Sequence, residues 1–158
     1  MTKLERSLTK VIYEQRHAKL SDVEELSDII LSIPELKIAD ELPFQSPEEL
    51  SYCINSKKSI FLVYVKMDRI VGFLYGVLET DETACITYLG VAKEFRLQGI
   101  ARSLVRKFVV EVNHFPISRI YTLATNPNAI KLFNKCGLFK KTTLTYLSND
   151  VNEIWRVV

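Results

Sequence analysis

The stretch EFRLQGIARSLV, residues 94–105, constrains this chain more than any other. It joins an apolar, strand-like run, TACITYLGVA (83–92), to a segment in which Ile100, Leu104, Val105, Phe108, Val109 and Val112 recur at helical spacing. A chain that turns from strand to helix here leaves the first N–H groups of the helix without partners and with a partial positive charge. The stretch offers little to cover them. Gly99 has no Cβ, Ala101 has the smallest one, Arg96 and Arg102 add positive charge, and no carboxylate follows Glu94. Such a corner suits an anion held mainly by backbone N–H groups. A glycine between strand and helix also serves as a plain turn, and the stretch alone leaves both readings open. The G-x-x-x-x-G-K-[ST] of a P-loop and the G-x-G-x-x-G of a dinucleotide fold are both absent.

The flanking chain alternates strand and helix signals. Residues 11–18 read as a strand. SDVEELSDIILSI (21–33) opens with a capping box, Ser21 and Glu24, and carries Val23, Leu26, Ile29, Ile30 and Ile33 on one helical face before Pro34. SPEELSYCIN (46–55) repeats the device with Ser46, Pro47 and Glu49. SIFLVYV and IVGFLYGVLE form a hairpin about the link Lys66-Met67-Asp68-Arg69, and a second tight link spans 79–83. SRIYTLAT (118–125) reads as a strand. NPNAIKLFNKCG (126–137) reads as a helix with Asn126 as cap and Gly137 as stop. FKKTTLTYL (139–147) and NEIWRVV (152–158) read as two closing strands. This predicts an α/β fold with a mixed, largely antiparallel central sheet of about seven strands and about four helices. The 158 residues suit a single domain, 1–158, with 1–10 as a frayed N-terminal segment.

Composition excludes several classes. With 47% apolar and 25% charged residues the balance is globular, and a net charge of +2 is too small for a nucleic-acid binder. Three cysteines without a C-x-x-C pair argue against a disulfide framework or a structural metal and fit a reducing compartment. MTKLERSLTK has no apolar core of a signal peptide, and no run reaches membrane-spanning length. The expectation is a cytoplasmic protein with no metal, membrane or nucleic-acid partner.

Arg96-Leu97-Gln98-Gly99-Ile100-Ala101 resembles the acetyl-CoA signature of the GNAT superfamily of N-acetyltransferases, Arg/Gln-x-x-Gly-x-Gly/Ala. YLGVAKEFR resembles its strand-and-loop lead-in, and NPNAIKLFNKCGL resembles its later helix pattern, Asn-x-x-Ala-x-x-x-Tyr-x-x-x-Gly-Phe. The order of elements over 11–158 matches as well. The resemblance implies acetyl-CoA as cosubstrate, with the acetyl group passing directly to a primary amine on a small molecule or polypeptide, in a monomer or homodimer. It implies that Leu89 and Val91 offer main-chain groups to pantetheine, beside a bulge at Gly90. It places Arg96, Leu97, Gln98, Gly99, Ile100 and Ala101 around the pyrophosphate, with Arg102 within reach of the phosphates. Asn126 would face the cofactor while capping its helix, and Phe133 would pack on the pantetheine arm.

The sequence departs from the family in its acid and base. Phe133 stands where relatives commonly hold a Tyr that protonates the thiolate. Cys85 and Tyr121 stand where relatives often hold a Glu base. Glu79, Tyr88 and Tyr146 are the substitute candidates. Their plain readings are a solvated strand end for Glu79 and amphipathic sheet residues for the tyrosines. Cys85 and Cys136 read as core, and His17 and His114 as surface residues. The acceptor would enter opposite the cofactor, past the first helix, the segment ELKIADELPFQ with Asp40 and Glu41, and the last hairpin with its charged stretch 149–153. Two other classes compete: a catalytically weak acyl-CoA-binding or sensing domain of the same fold, and a structural α/β domain with no cofactor.

Overall fold

In the computed structural model, residues 13–37, 41–44, 46–124 and 126–142 are described. Strands β1 (Tyr13–His17), β2 (Ser59–Lys66), β3 (Arg69–Leu78), β4 (Thr83–Val91) and β5 (Arg119–Thr122) form one sheet in that spatial order. The β2–β3 hairpin turns on Met67 and Asp68, whose φ values of 50° and 61° are the left-handed pair that a two-residue hairpin loop requires. β1–β2, β2–β3 and β3–β4 are antiparallel, and β5 joins β4 in parallel.

The sheet therefore has five strands among the described residues, against an expectation of about seven. Of the two predicted C-terminal strands, residues 139–142 are not in a strand, and the remainder lies outside the described residues.

Four α-helices are described: α1 (Val23–Leu31), α2 (Pro47–Asn55), α3 (Ile100–Val112) and α4 (Pro127–Lys135). α1 and α2 cover one face of the sheet, burying Leu26, Ile29, Ile30 and Leu50 with Phe61, Val63 and Phe73. α3 and α4 cover the other, burying Ile100, Leu104, Val105, Phe108 and Phe133 with Leu62, Leu74 and Ile86. Each such side chain contributes about 1.5–3 kcal/mol when fully buried.

The caps follow the sequence in part. Ser46 Oγ accepts the Glu49 N–H at 3.1 Å, and Asn126 Oδ1 accepts the Asn128 N–H at 2.9 Å. At Gly137 the chain turns left-handed, and the Leu138 N–H reaches the Phe133 carbonyl at 2.9 Å, the Schellman stop of α4. Ser21 does not cap α1. Residues 20–22 form a short 3₁₀ turn in which the Asp22 carboxylate accepts the Lys19 N–H at 2.7 Å and both Arg16 guanidinium nitrogens, at 2.7 and 3.0 Å. A bidentate, charge-assisted pair outweighs a neutral hydroxyl cap.

The bulge lies at Thr87, not at Gly90. Tyr75 pairs with Tyr88 and Gly76 with Ile86, which leaves Thr87 as the extra residue of β4. Gly90 keeps its register opposite Phe73. Its lack of a side chain is a packing need, because a Cβ there would meet Phe73 Cε1 at 2.8 Å and Ile33 Cδ1 at 2.9 Å. The extra residue shifts the alternation of β4. Ile86, Leu89 and Val91 all pack on the α3 side, while Tyr88 turns to the α1–α2 side.

Candidate active site

β4 and β5 pair only from Thr83–Arg119 to Ile86–Thr122. Thr122 Oγ1 donates to the Ile86 carbonyl at 2.8 Å and closes the last rung. Beyond it β5 ends while β4 runs on to Val91. The edge of Thr87–Val91 is thus left without β5 along about 16 Å, at the rise of a strand.

At the open end of this split lies the predicted anion corner. A 3₁₀ turn, Lys93–Phe95, leads into Arg96–Gly99. Leu97 and Gly99 have φ values of 62° and 79°, so two left-handed residues flank Gln98 and curl the backbone into a concavity of the kind that gathers N–H groups. α3 starts with no side-chain cap and no acid in its first turn. Its hydrogen bonding opens with the Ser103 N–H on the Gly99 carbonyl at 3.0 Å, so the N–H groups of Ile100, Ala101 and Arg102 precede the first intrahelical bond. A Cβ at Gly99 would meet nothing within 4 Å, so the space before the helix is open.

Distant residues hold this corner. Arg96 Nε donates to the Val91 carbonyl at 3.1 Å, and Nη1 donates to Glu35 at 3.0 Å. Its guanidinium is therefore directed at a carboxylate and a strand end, and it holds the Glu35 carboxyl below its ordinary range. Lys66 Nζ donates to Gln98 Oε1 at 3.0 Å while lying 5.8 Å from the centre of the Phe95 ring. Arg102 is exposed on the first turn of α3.

The closed end carries a different cluster. Cys85 and Tyr121 are direct partners in the β4–β5 pair. The Tyr121 hydroxyl donates a hydrogen bond to the Glu79 carboxylate, and that acceptor, followed by partial burial, pushes the phenol well above its ordinary range. Burial also pushes the Cys85 thiol up, which keeps it protonated and unreactive. A cavity of ≈ 230 Å³ opens beside Glu79, lined also by Lys58, Asp81 and Phe115.

Tyr88 sits elsewhere on the same sheet face. Its ring packs edge-on against Phe44 at 5.3 Å and stacks on Tyr75 at 6.4 Å, and burial raises its phenol. Tyr146 lies outside the described residues. Phe133 is only 6% exposed, within the core under α3. Asn126 serves as the cap of α4. His17 bonds Glu111 on α3 at 3.1 Å, far along the chain from the split. Cys136 is half-buried, with Arg102 and Arg106 near its thiol.

The structure thus gathers Leu89, Gly90, Val91 and residues 96–102 along one open edge and corner. It brings Glu79 to Tyr121 rather than to Tyr88. Glu35 and Lys66 are participants that sequence reasoning did not place, and Tyr121 entered it only as the residue standing where relatives often hold a base. Their contacts join residues 61, 32 and 42 positions apart, and no local pattern announces such pairs. Among the described residues no group of three or more His, Cys, Asp or Glu could hold a metal ion, and no helix is long and apolar enough to cross a membrane.

β4 thus loses its parallel neighbour beside an uncapped helix start, and comparison with known proteins gives the family. The sequence profile of the Acetyltransferase (GNAT) family matches residues 23–138. The chain belongs to this family, and its class is that of the N-acetyltransferases. No curated protein matches it by sequence.

Solved structures share the fold. An aminoglycoside acetyltransferase from an uncultured soil metagenomic sample, in complex with sisomicin, superposes with a TM-score of 0.71 at 13% identity, covering 90% of this chain and 98% of its own. The aminoglycoside antibiotic 6′-N-acetyltransferase of Acinetobacter baumannii gives 0.70 at 16% identity, covering 88% and 99%. The ribosomal-protein-alanine N-acetyltransferase of Brucella melitensis gives 0.69 at 15%, covering 87% and 99%.

Proposed function

We propose that this chain, acting as one catalytic domain, transfers the acetyl group of acetyl-CoA directly to a primary amine. The observation that carries the reading is the split between β4 and β5, which runs from the open start of α3 to the Thr87 bulge. The N–H groups of Gln98–Arg102 hold the pyrophosphate, with Gly99 leaving room for it and Arg102 adding charge from outside. The open edge of Leu89, Gly90 and Val91 pairs with the pantetheine arm, whose extended reach is comparable with that edge. The reacting carbonyl then lies near the bulge, where main-chain N–H groups can polarise it. Acetyl-CoA, when bound, supplies the activated acyl carbonyl. Asn126 and Phe133 border the arm from α4.

The acceptor approaches from the α1–α2 face, where Glu41 is exposed and Tyr88 packs against Phe44. Its amine belongs to a small molecule or to a polypeptide terminus or lysine. No phenol stands at position 133, so the thiolate receives its proton from water, from another side chain or from the amine nitrogen itself. Glu79, Tyr88 and Tyr146 are the candidate acid–base groups from the sequence, and of these Glu79 has a bonded partner at the closed end of the split.

A weakly catalytic acyl-CoA-binding domain is the second reading, favoured by the apolar residue at position 133. Calorimetry with acetyl-CoA and thioester consumption with a panel of amines separate the two. Binding with turnover supports transfer, binding without turnover on any amine supports the second reading, and no binding removes both.

A further inference from the structure

The Glu79–Tyr121 pair is a bonded acid–base couple, and structural needs do not account for it. Glu79 is exposed and Tyr121 partly so, with no core to complete there. Their side chains meet across the start of β4, over the pair Cys85–Tyr121, one rung below the last rung of the split. Ile120 on β5 and both Ala84 and Ile86 on β4 pack under α3. By strand alternation Tyr121 and Cys85 therefore face the opposite side, the side of α1 and α2 from which the acceptor comes. Tyr121 thus stands one rung inside the point where the open edge begins, with its hydroxyl turned to Glu79 at the Thr83 end of β4.

We propose that Tyr121 and Glu79 form the proton relay of the acyl transfer. The phenol oxygen takes a proton from the acceptor's ammonium as its own proton passes to the Glu79 carboxylate, which releases it to solvent. This rests on the acetyl-transfer reading above.

The chemistry balances. An ammonium carries three N–H bonds and the amide product one. The first proton leaves through Tyr121 and Glu79, freeing the lone pair that bonds to the carbonyl carbon. As the C–S bond breaks, its electron pair goes to sulfur, and the second nitrogen proton neutralises the thiolate through solvent. Tyr121 touches the reacting nitrogen, and Glu79 acts through Tyr121.

The arrangement suits this role. The carboxylate keeps the phenol neutral, so its oxygen can accept while its hydrogen points at Glu79. Glu79 also lines the cavity with Lys58 and Asp81, which opens a path to bulk water. The other groups facing the pair are the buried Cys85 thiol on β4 and Arg119, two residues before Tyr121 on the same face of β5.

The test compares wild type with Tyr121→Phe, Glu79→Gln and the double variant. Acetyl-CoA would be used with two ammonium probes, sisomicin and a short peptide beginning with alanine, across pH 6–10. We expect each single variant to lose roughly 10²–10⁴-fold in kcat/KM near neutral pH, as general acid–base groups do. Acetyl-CoA affinity and thermal unfolding should stay unchanged. The deficit should shrink as pH rises and the amine arrives already deprotonated, and the double variant should be no slower than the slower single one. Losses that are additive, constant across pH or smaller than threefold overturn the relay while wild-type turnover still supports acetyl transfer. A wild type that consumes no acetyl-CoA with either probe or with any amine of the panel removes the acetyl-transfer reading and the relay with it.

Discussion

The guanidinium of Arg96 sits 3.0 Å from the carboxylate of Glu35, joining the corner before α3 to the 3₁₀ turn that follows α1. The first residue of the acetyl-CoA signature is thus committed to a protein carboxylate and to the Val91 carbonyl. On the proposed reading, backbone N–H groups are then the main holders of the pyrophosphate. Substituting Arg96 by Ala should weaken acetyl-CoA binding by less than about tenfold, because a solvent-exposed pair of this kind is worth only about 0.2–1 kcal/mol. Calorimetry at low and high salt checks this, and the difference between parent and variant should narrow at high salt. Complete loss of binding would assign the anion to the side chain instead.

Gly99 gives a sharper test of the corner. Ala and Glu at this position both pay for a left-handed backbone, about 1–2 kcal/mol of stability. Only Glu also sets bulk and negative charge before the helix start. Gly99→Ala should keep acetyl-CoA binding within about an order of magnitude of the parent, and Gly99→Glu should show none by titration while remaining folded. Equal affinities for the two variants would place the pyrophosphate elsewhere.

Gly90 should behave as a packing residue. A methyl group there falls within 3 Å of Phe73 and Ile33, both fixed in the core. Gly90→Ala should lower the unfolding free energy by about 1–3 kcal/mol, as overpacking does. Urea denaturation without ligand reads this directly, and an unchanged midpoint would mean that the strand yields there freely.

The Asp22–Arg16 pair should make stability sensitive to acid. Burial alone would raise the Asp22 carboxyl, but the Arg16 hydrogen bond, the Lys19 N–H and the neighbouring positive charges outweigh it and hold the carboxyl below its ordinary range. A carboxyl lowered on folding adds stability that is fully present above its unfolded value, about 3.9, and is lost as pH falls through the lower folded value. Asp22→Asn should therefore cost about 2–4 kcal/mol at neutral pH, since Arg16 loses its charge partner. The same variant should show a flatter fall in stability below about pH 4. Thermal unfolding from pH 7 to pH 2 gives both readings, and parallel curves for parent and variant would exclude Asp22 as the titrating group.

Much of the architecture was legible because its signals are local. The α3 stripe of Ile100, Leu104, Val105, Phe108 and Val112 is buried as its spacing requires. Ser46 and Asn126 cap the helices they precede, and the Met67-Asp68 turn joins β2 to β3. The expectation failed where a side chain found a better partner outside its own segment. Asp22 took Arg16 from β1, so Ser21 did not cap α1. Phe73 and Ile33 demanded a missing side chain at Gly90, so that glycine did not mark the bulge.

The candidate site divides in the same way. The sequence by itself determined the turn into α3: Gly99, the absence of acids in the first turn and the strand before it are properties of contiguous residues, set by backbone sterics and the unpaired N–H groups of any helix start. The parting of β4 from β5, the hold of Glu35 on Arg96 and of Lys66 on Gln98, and the meeting of Glu79 with Tyr121 were decided only by tertiary structure. Each depends on which strands lie side by side and where a bulge shifts their faces. That register follows from packing the whole sheet against two helical layers at once, so no short stretch encodes it.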